Sequence, residues 1–328
     1  MLILAELRYN PLLDDWTMVA ASRQKRPDMP KDYCPFCPGS GKVPELYDVF
    51  LYHNDFPVLS KSPPTPDDVA GGIYKVRESR GKCEVVLYSP DHYATIPDLS
   101  KGHILKLIDL WRDTYKDLVK EKEHEYVMIF ENRGKEVGVT MPHPHGQIYA
   151  YPFIPLKVRT EIENAKAHFE STGRNLFADM LNEERRFGER IVYENEHFVV
   201  FIPFFTDYPF GTFVLPKRQV LDLTELTKAE EESLAVLLKE LVGGMDRIYD
   251  RLFPYMMVMH PAPHKTKKDA KNYYWFHIEF YPPLRGERSV KYNASSETGG
   301  WAAANPTEVE DNAVVFKEAI ERYKRSDR

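Results

Sequence analysis

The chain has 328 residues, of which 43% are hydrophobic and 29% charged, so it is not a disordered chain and has enough apolar material for a substantial core. The formal net charge of −6 disfavours sequence-independent binding to nucleic acid, which needs a basic face. No apolar run approaches the roughly 18 residues of a membrane span, the first residues lack a basic leader, and three cysteines are too few for a disulfide framework. We therefore expect a cytoplasmic protein of about two domains of ordinary size, or one large one, that binds neither membranes nor nucleic acid.

The first half of the chain shows alternating strand and helix patterns after a turn-rich start of about 60 residues. Its predicted elements, in order, are strands over 49–52 and 84–88 around a surface loop at 61–72, a helix over 100–122, strands over 126–130 and 147–151, and a polar helical segment over 157–187 that breaks at Gly173. The helix over 100–122 is the best supported, because its apolar residues recur at helical spacing.

The second half repeats this order of elements. Its predicted elements are strands over 197–202 and 212–215, a helix over 227–252 that begins with a capping box, strands over 255–259 and 273–280, and a terminal helix. An Asp-Leu-Ser or Asp-Leu-Thr tripeptide precedes the long helix in both halves, at 98–100 and 222–224. We predict an α+β fold of two related halves, 1–187 and 188–328, whose sheets are mostly antiparallel, because several connections are too short for a crossover helix.

The most informative segment is Met141-Pro-His143-Pro-His145-Gly-Gln147. In an extended strand, residues i and i+2 point to one face, so His143, His145 and Gln147 are expected to line up. Pro144 removes a backbone donor, which predicts a position at a sheet edge. A neutral imidazole beside such an edge suits nucleophilic attack on phosphorus. The alternative is two histidines satisfied by hydrogen bonds in a polar loop.

Glycines and a hydroxyl group lie just upstream of this segment, at Gly134, Gly138 and Thr140. Such residues next to a strand can offer backbone donors to phosphate oxygens. The sequence thus favours a phosphate-binding cradle beside the histidines.

Cys34 and Cys37 are separated by two residues, a spacing at which two thiolates can hold zinc from one turn. His92 and His143 are the candidates for the other two ligands, which would give a closed, structural site. A redox pair is the alternative, but the cysteines do not lie between a strand and a helix. Cys83 is expected to be a small buried hydrophobic residue.

A second group of candidate ligands lies in the other half. His277 and Glu279 share one strand face, and with His260 and an oxygen from Glu161 they could hold a divalent metal. The alternative is a hydrogen-bonded core histidine beside an ion pair.

Together these segments resemble the galactose-1-phosphate uridylyltransferase family, a branch of the histidine-triad superfamily. The resemblance covers nearly the whole chain. Its landmarks are Arg8-Tyr-Asn-Pro11, Ser22-Arg23-Gln-Lys-Arg26-Pro27, Cys34-Pro-Phe-Cys37, Asn54-Asp55-Phe56, Ser89-Pro-Asp-His92, Phe130-Glu-Asn132, His143-Pro-His145-Gly-Gln147 and Phe280-Tyr-Pro-Pro283. The family implies a homodimer that transfers a uridylyl group between UDP-glucose or UDP-galactose and hexose 1-phosphates, by a ping-pong route through a uridylyl-histidine.

The resemblance also implies roles for individual residues. His145 matches the nucleophile and Gln147 the amide that binds the transferred phosphoryl group. The metal ligands that the resemblance implies are Cys34, Cys37, His92 and His143 for zinc, and Glu161, His260 and His277, with Glu279 beside them, for a second site that holds iron or zinc. The residues at substrate-contacting positions are Arg23, Arg26, Asn132, Gly138, Thr140 and Lys291 for phosphates, Asn54 and Asp55 for the nucleoside, and Glu297 for the hexose.

The sequence departs from the family pattern at three places. Glu279 stands where a third histidine is usual at the second metal site, and a carboxylate is a harder ligand that favours a different metal. Thr140 replaces a serine and keeps the hydroxyl group. The tail after Tyr292 matches poorly, which leaves Glu297 as the weakest assignment.

Gln147 bears on the type of reaction. The hydrolase branches of the superfamily have a histidine there, which can protonate a leaving group. A sugar phosphate leaves as an anion whose last pKa is about 6, so it needs no proton donor and a neutral amide suffices. Two alternatives stay open: a related adenylyltransferase or phosphorylase acting on ADP-glucose, and a non-catalytic zinc-containing protein that binds nucleotides.

Overall fold

The computed structural model describes residues 5–21 and 33–327, which form an α+β fold. Its strands are β1 (Ala5–Asn10), β2 (Asp15–Ala20), β3 (Phe50–His53), β4 (Val76–Glu78), β5 (Lys82–Leu87), β6 (Tyr126–Arg133), β7 (His145–Tyr151), β8 (Ile191–Glu194), β9 (Phe198–Phe201), β10 (Thr212–Pro216), β11 (Tyr255–His260), β12 (His277–Tyr281), β13 (Leu284–Gly286) and β14 (Ser289–Val290). Its α-helices are α1 (Lys101–Leu118), α2 (Leu156–Thr172), α3 (Leu176–Phe187), α4 (Lys228–Ile248), α5 (Lys267–Ala270), α6 (Ser295–Gly300) and α7 (Val309–Ser326). None of the helices in the described ranges is long and apolar enough to cross a membrane.

A nine-stranded sheet in the order β3-β5-β7-β6-β11-β12-β10-β9-β8 forms the centre of the molecule. All its neighbouring strands are antiparallel, as predicted. A smaller sheet, β2-β1-β4, and the β13–β14 ribbon lie apart from it.

The two halves of the chain contribute to the large sheet in mirror order. In each half the strand that follows the long helix, β6 or β11, lies innermost, and these two strands pair with each other. The strand that begins with a histidine, β7 or β12, lies next, followed by strands that precede the helix: β5 and β3 in the first half, and β10, β9 and β8 in the second. The prediction of two related halves is thereby confirmed, whereas the boundary after residue 187 stays a prediction.

Helices α1 and α4 pack against each other and against the sheet in one large apolar core. The apolar residues of α1 that recur at helical spacing, including Leu107 and Trp111, are fully buried. The predicted capping box of α4 is present, since Thr227 accepts from the Glu230 backbone nitrogen and Glu230 accepts from Thr227. The predicted break at Gly173 is also present, because this residue ends α2 with a φ of 71°.

The structure corrects one sequence prediction about β7, the strand that begins at His145. β7 is not at a sheet edge but pairs with β5 on one side and β6 on the other. Pro144 is tolerated because it precedes the first residue of β7, where its missing N–H is not needed, and its carbonyl accepts a hydrogen bond from Tyr88.

Other differences concern elements that the sequence patterns did not indicate. The turn-rich start contains the β1–β2 hairpin, β8 was not predicted, and the strand predicted from residue 273 begins at His277. The hairpin was not predicted because its two strands are short and few of their side chains are fully buried. Turn-forming residues in the same segment were therefore the stronger pattern.

The contact between α4 and α7 depends on glycine at position 244. A Cβ there would lie 2.4 Å from Ile320 Cγ1 and 2.9 Å from Ile320 Cα. We expect G244A to lower the free energy of unfolding by about 1–3 kcal/mol through overpacking, as measured by urea denaturation. G102A in α1 is the matched control, because the nearest atom to its Cβ would be 4.0 Å away. That variant should be up to about 1 kcal/mol more stable than the wild type. A gain in stability for both variants would contradict the close helix contact.

Candidate active site and metal clusters

His145 is the first residue of β7, and its imidazole is held in one tautomer. Its Nδ1 lies 2.8 Å from the backbone carbonyl oxygen of His143. Because a carbonyl only accepts, Nδ1 must carry the proton, which places the lone pair of the neutral ring on Nε2. The ring also packs near Phe36, with centroids 5.9 Å apart. His145 therefore has the protonation pattern that a nucleophilic imidazole requires.

Gln147 lies two residues further along β7 and so shares a face with His145. The Tyr149 hydroxyl donates to Gln147 Oε1 at 3.1 Å. Since the amide oxygen is engaged in this way, the amide nitrogen is the group that Gln147 has to offer an anion. The predicted pairing of imidazole and amide on one face is present.

The four residues predicted as zinc ligands come together in one cluster. Their ligand atoms lie within 4.8 Å of one another: Cys34, Cys37, His92 and His143. Sulfur-to-Nδ1 distances are 3.7 Å from Cys34 to His143, 3.4 Å from Cys37 to His92 and 3.6 Å from Cys37 to His143. In a tetrahedral zinc site, ligand atoms about 2.0–2.3 Å from the metal lie about 3.6 Å apart. The geometry therefore fits a tetrahedral metal ion.

The chemistry of this donor set also fits a metal. His143 Nε2 donates to the Ser89 carbonyl at 2.8 Å, so the Nδ1 lone pair faces the sulfur atoms. Burial lowers the pKa of His143 to about 4, which keeps the ring neutral. Burial, and after it the neighbouring Cys34, raises the pKa of the Cys37 thiol to about 11, so ionised sulfur at this place needs a cation beside it.

The second predicted ligand group is likewise assembled, in the other half of the sheet. Its ligand atoms also lie within 4.8 Å of one another: Glu161 from α2, His260 from β11, and His277 and Glu279 from β12. His260 Nδ1 is 3.0 Å from Glu161 Oε2, and His277 Nε2 is 3.1 Å from Glu279 Oε1. The His260 and His277 rings stack with centroids 4.7 Å apart. Two imidazoles and two carboxylates can hold a divalent cation such as iron or zinc.

Two further residues, Lys157 and Tyr281, contact this second cluster and were missed from the sequence. Lys157 Nζ lies 2.6 Å from Glu279 Oε2 and 2.6 Å from the Tyr281 hydroxyl oxygen. Although burial opposes it, the charges of His260 and Lys157 and the hydrogen bond with His277 hold the pKa of Glu279 well below its usual range. No local motif marks Lys157, because it meets Glu279 only in the folded chain.

The predicted substrate-contacting residues are placed by the fold as follows. Asn54 and Asp55 follow β3, where the Tyr52 hydroxyl donates to Asp55 Oδ2 at 2.8 Å and Asn54 Oδ1 accepts from the Phe56 backbone at 2.9 Å. Gly138 has a φ of 77° and ends a short turn after β6.

The remaining predicted contacts lie on other elements. Asn132 lies on β6 and is half-buried, and Thr140 is exposed in the segment that precedes β7. Lys291 is buried, with its ammonium 4.9 Å from the centre of the Tyr208 ring, and Glu297 accepts from the Ala294 backbone at the start of α6. Arg23 and Arg26 lie outside the described residues. The common role of these residues in substrate binding stays a prediction.

Behind β7, on the face opposite His145, lies a buried carboxyl group that sequence reasoning did not single out. A Cβ at Gly146 would lie 2.2 Å from the Tyr88 hydroxyl oxygen, so only glycine fits between His145 and Gln147. Glu131 on β6 accepts a hydrogen bond from the Tyr255 hydroxyl at 3.1 Å, and burial raises its pKa to about 7. The sequence signal that could have marked Glu131 is its position on β6, where an alternating pattern places this carboxylate among the inward-facing side chains.

The raised pKa of Glu131 predicts a pH dependence of stability. Below pH 4.5 the group is protonated in the folded and the unfolded chain; between pH 4.5 and about 7 only the folded chain keeps the proton. Because the folded state then binds more protons, the wild type loses stability as pH rises, by about 3 kcal/mol in total. E131Q has no such loss, so its unfolding free energy relative to the wild type should increase over this range and level off above it. A difference that does not change with pH in urea denaturation would contradict this.

Comparison with known proteins gives a consistent result over the whole length. The family model for galactose-1-phosphate uridyl transferase, N-terminal domain, matches residues 2–155, and the model for its C-terminal domain matches residues 161–292. The galactose-1-phosphate uridylyltransferase of Thermotoga maritima is 41% identical over 314 residues, covering 95% of this chain and 98% of the relative. That of Haemophilus influenzae is 33% identical, covering 87% of this chain and 85% of the relative.

Solved structures agree with these matches. A structure described as that of uridylyltransferase superposes with a TM-score of 0.87 at 31% identity, covering 97% of this chain and 99% of the other. An ADP-glucose phosphorylase from Arabidopsis thaliana shares the fold, with a TM-score of 0.73 at 24% identity over 96% of this chain and 99% of the other.

Proposed function

The chain belongs to the galactose-1-phosphate uridylyltransferase family, and on that premise we propose that it transfers a uridylyl group from UDP-glucose to galactose 1-phosphate through His145. The observation that carries this proposal is the hydrogen bond from His145 Nδ1 to the His143 carbonyl, which leaves the lone pair on Nε2. The relatives named above are uridylyltransferases, which favours a uracil nucleotide over the adenine nucleotide of the alternative.

The reaction proceeds in two displacements at phosphorus. His145 Nε2 attacks the α-phosphorus of UDP-glucose; the nitrogen–phosphorus bond forms, and the bond to the departing glucose 1-phosphate breaks. The phosphate oxygen of galactose 1-phosphate then attacks the same phosphorus, which releases UDP-galactose and restores the imidazole. Throughout, the proton stays on His145 Nδ1, and the His143 carbonyl that accepts its hydrogen bond stabilises the positive charge that the ring acquires.

Gln147 supports both displacements without moving a proton. Its amide nitrogen donates to the nonbridging oxygens of the transferred phosphoryl group, and the Tyr149 hydroxyl fixes the amide in that orientation. Each leaving group is a sugar phosphate or a phosphoramidate nitrogen, so no acid is required. A neutral donor at this position therefore favours transfer between phosphates over hydrolysis.

The metal chemistry of the first cluster points to zinc. Two thiolates and two imidazoles at tetrahedral spacing are a donor set that suits this ion, and four protein ligands leave no open position for substrate. Zinc bound there would fix the position of His143 and, through the His143 carbonyl, orient the His145 ring.

The assignments that extend beyond this strand follow the family. Asn54 and Asp55 bind the nucleoside, and a polar set binds the phosphates: Arg23, Arg26, Asn132, Gly138, Thr140 and Lys291. Glu297 contacts the hexose. The protein acts in the cytoplasm as a homodimer in which some phosphate contacts come from the partner subunit.

The first experiment tests the covalent intermediate. Protein incubated with UDP-glucose and no acceptor should gain the mass of one uridylyl group on the peptide that contains His145 and release an equivalent of glucose 1-phosphate. H145A should form no adduct, and its transfer rate should fall by at least about 10³-fold. The matched control is H168A, since His168 lies on α2 and bonds Asp179, away from β7. Labelling by ADP-glucose alone would refute the substrate, and kinetics that require both substrates bound together would refute the intermediate.

The second experiment tests the zinc assignment. Elemental analysis should find one tightly held zinc per chain, and chelation should lower the melting temperature, because metal binding is coupled to folding. C37A should lose this zinc. C83A should keep it, since Cys83 is buried on β5 and is not part of the cluster. Metal-free protein with an unchanged melting temperature would contradict a structural zinc.

A further inference from the structure

The second cluster already contains a cation supplied by the chain. Lys157 lies on α2 one helical turn before Glu161, and its ammonium is 2.6 Å from Glu279 Oε2 and 3.6 Å from Glu161 Oε1. Glu279 is 3% exposed at its side chain, so its carboxylate needs a positive partner in this poorly hydrated place. The ammonium supplies that partner without any bound ion.

The same carboxylate oxygen is the one that a metal would require. Glu279 Oε2 faces His260 Nε2 at 3.9 Å, across the space between the ligand groups. The Lys157 ammonium and the Tyr281 hydroxyl both contact this oxygen. A divalent ion bound to it would lie close to a like charge, and the repulsion between the two opposes binding.

We propose that the Lys157 ammonium is the resident cation of the second cluster, where it neutralises Glu279 and weakens the binding of a divalent metal. The glutamate at position 279 fits this arrangement, because an imidazole there would remove the nearer of the two carboxylates that face the ammonium and leave Glu161 Oε1, at 3.6 Å. The cluster then fastens α2 to β11 and β12 as a network of ion pairs and hydrogen bonds, with Glu161 bonded to His260 and Glu279 bonded to His277.

The test measures metal content and is independent of transfer activity. Purified full-length wild type and variants are dialysed against a series of zinc-buffered solutions, and bound zinc is counted by elemental analysis. The variants are K157M, which removes the ammonium, and K157M/E161Q, which also removes one ligand. The matched control is K166M, because Lys166 lies on the same helix with a similarly exposed side chain, paired to Glu170 at 3.8 Å.

The wild type and K166M should hold one tight zinc, in the first cluster. K157M should gain a second zinc with an affinity at least about tenfold tighter than the wild type shows for it. K157M/E161Q should lose this gain, which places the ion at the second cluster. Without metal, K157M should melt below the wild type, and zinc should restore its stability.

Two results would overturn the proposal. One is a wild type that already holds two tightly bound zinc ions. This measurement tests the proposal even if K157M does not fold. The other is a folded K157M that binds zinc at the second cluster with the same affinity as the wild type. Lys157 would then only donate a hydrogen bond at the edge of the cluster and would not be its resident cation.

Discussion

The hydrogen bond from the His145 ring to the His143 carbonyl is the interaction on which the proposed active site depends. It joins the first cluster to β7, because His143 belongs to the cluster and His145 is the first residue of that strand. On one side, His143 is fixed by the Ser89 carbonyl and faces the two sulfur atoms. On the other, the tautomer of His145 is determined. The cluster is thus linked to the His145 ring through a backbone carbonyl.

The symmetry of the sheet shows the same arrangement a second time. β12 occupies the position in the second half that β7 occupies in the first, and it too begins with a histidine. His277 Nδ1 donates to the carbonyl of Trp275, two residues earlier, at 2.9 Å, just as His145 donates to His143. The third residue is Gln147 in one strand and Glu279 in the other. The two halves therefore share a backbone design and differ in what the third side chain can bind.

Features that depend on residues close together in sequence could be predicted, and those that depend on the assembled fold could not. The cysteine spacing, the histidine alternation and the Thr227 capping box are local, and each appears in the structure. The edge position of β7 was wrongly predicted, because Pro144 lies just outside the paired residues and a sequence does not show where pairing begins. Lys157 could not be assigned, because its environment arises from an element more than a hundred residues away.

Charge explains why only one of these two similar strands suits phosphate chemistry. At Gln147 the side chain is neutral and offers N–H donors, so a diphosphate can approach β7 without repulsion. At Glu279 the neighbouring histidines and Lys157 keep the carboxyl group ionised, and a phosphate at the corresponding place would meet a negative charge in a site shielded from water. The charge of Glu279 therefore disfavours the approach of a phosphate to His277. In both halves an imidazole donates through Nδ1 to the carbonyl two residues earlier, but its neighbour on the strand is an amide in one half and a carboxylate that bonds its Nε2 in the other.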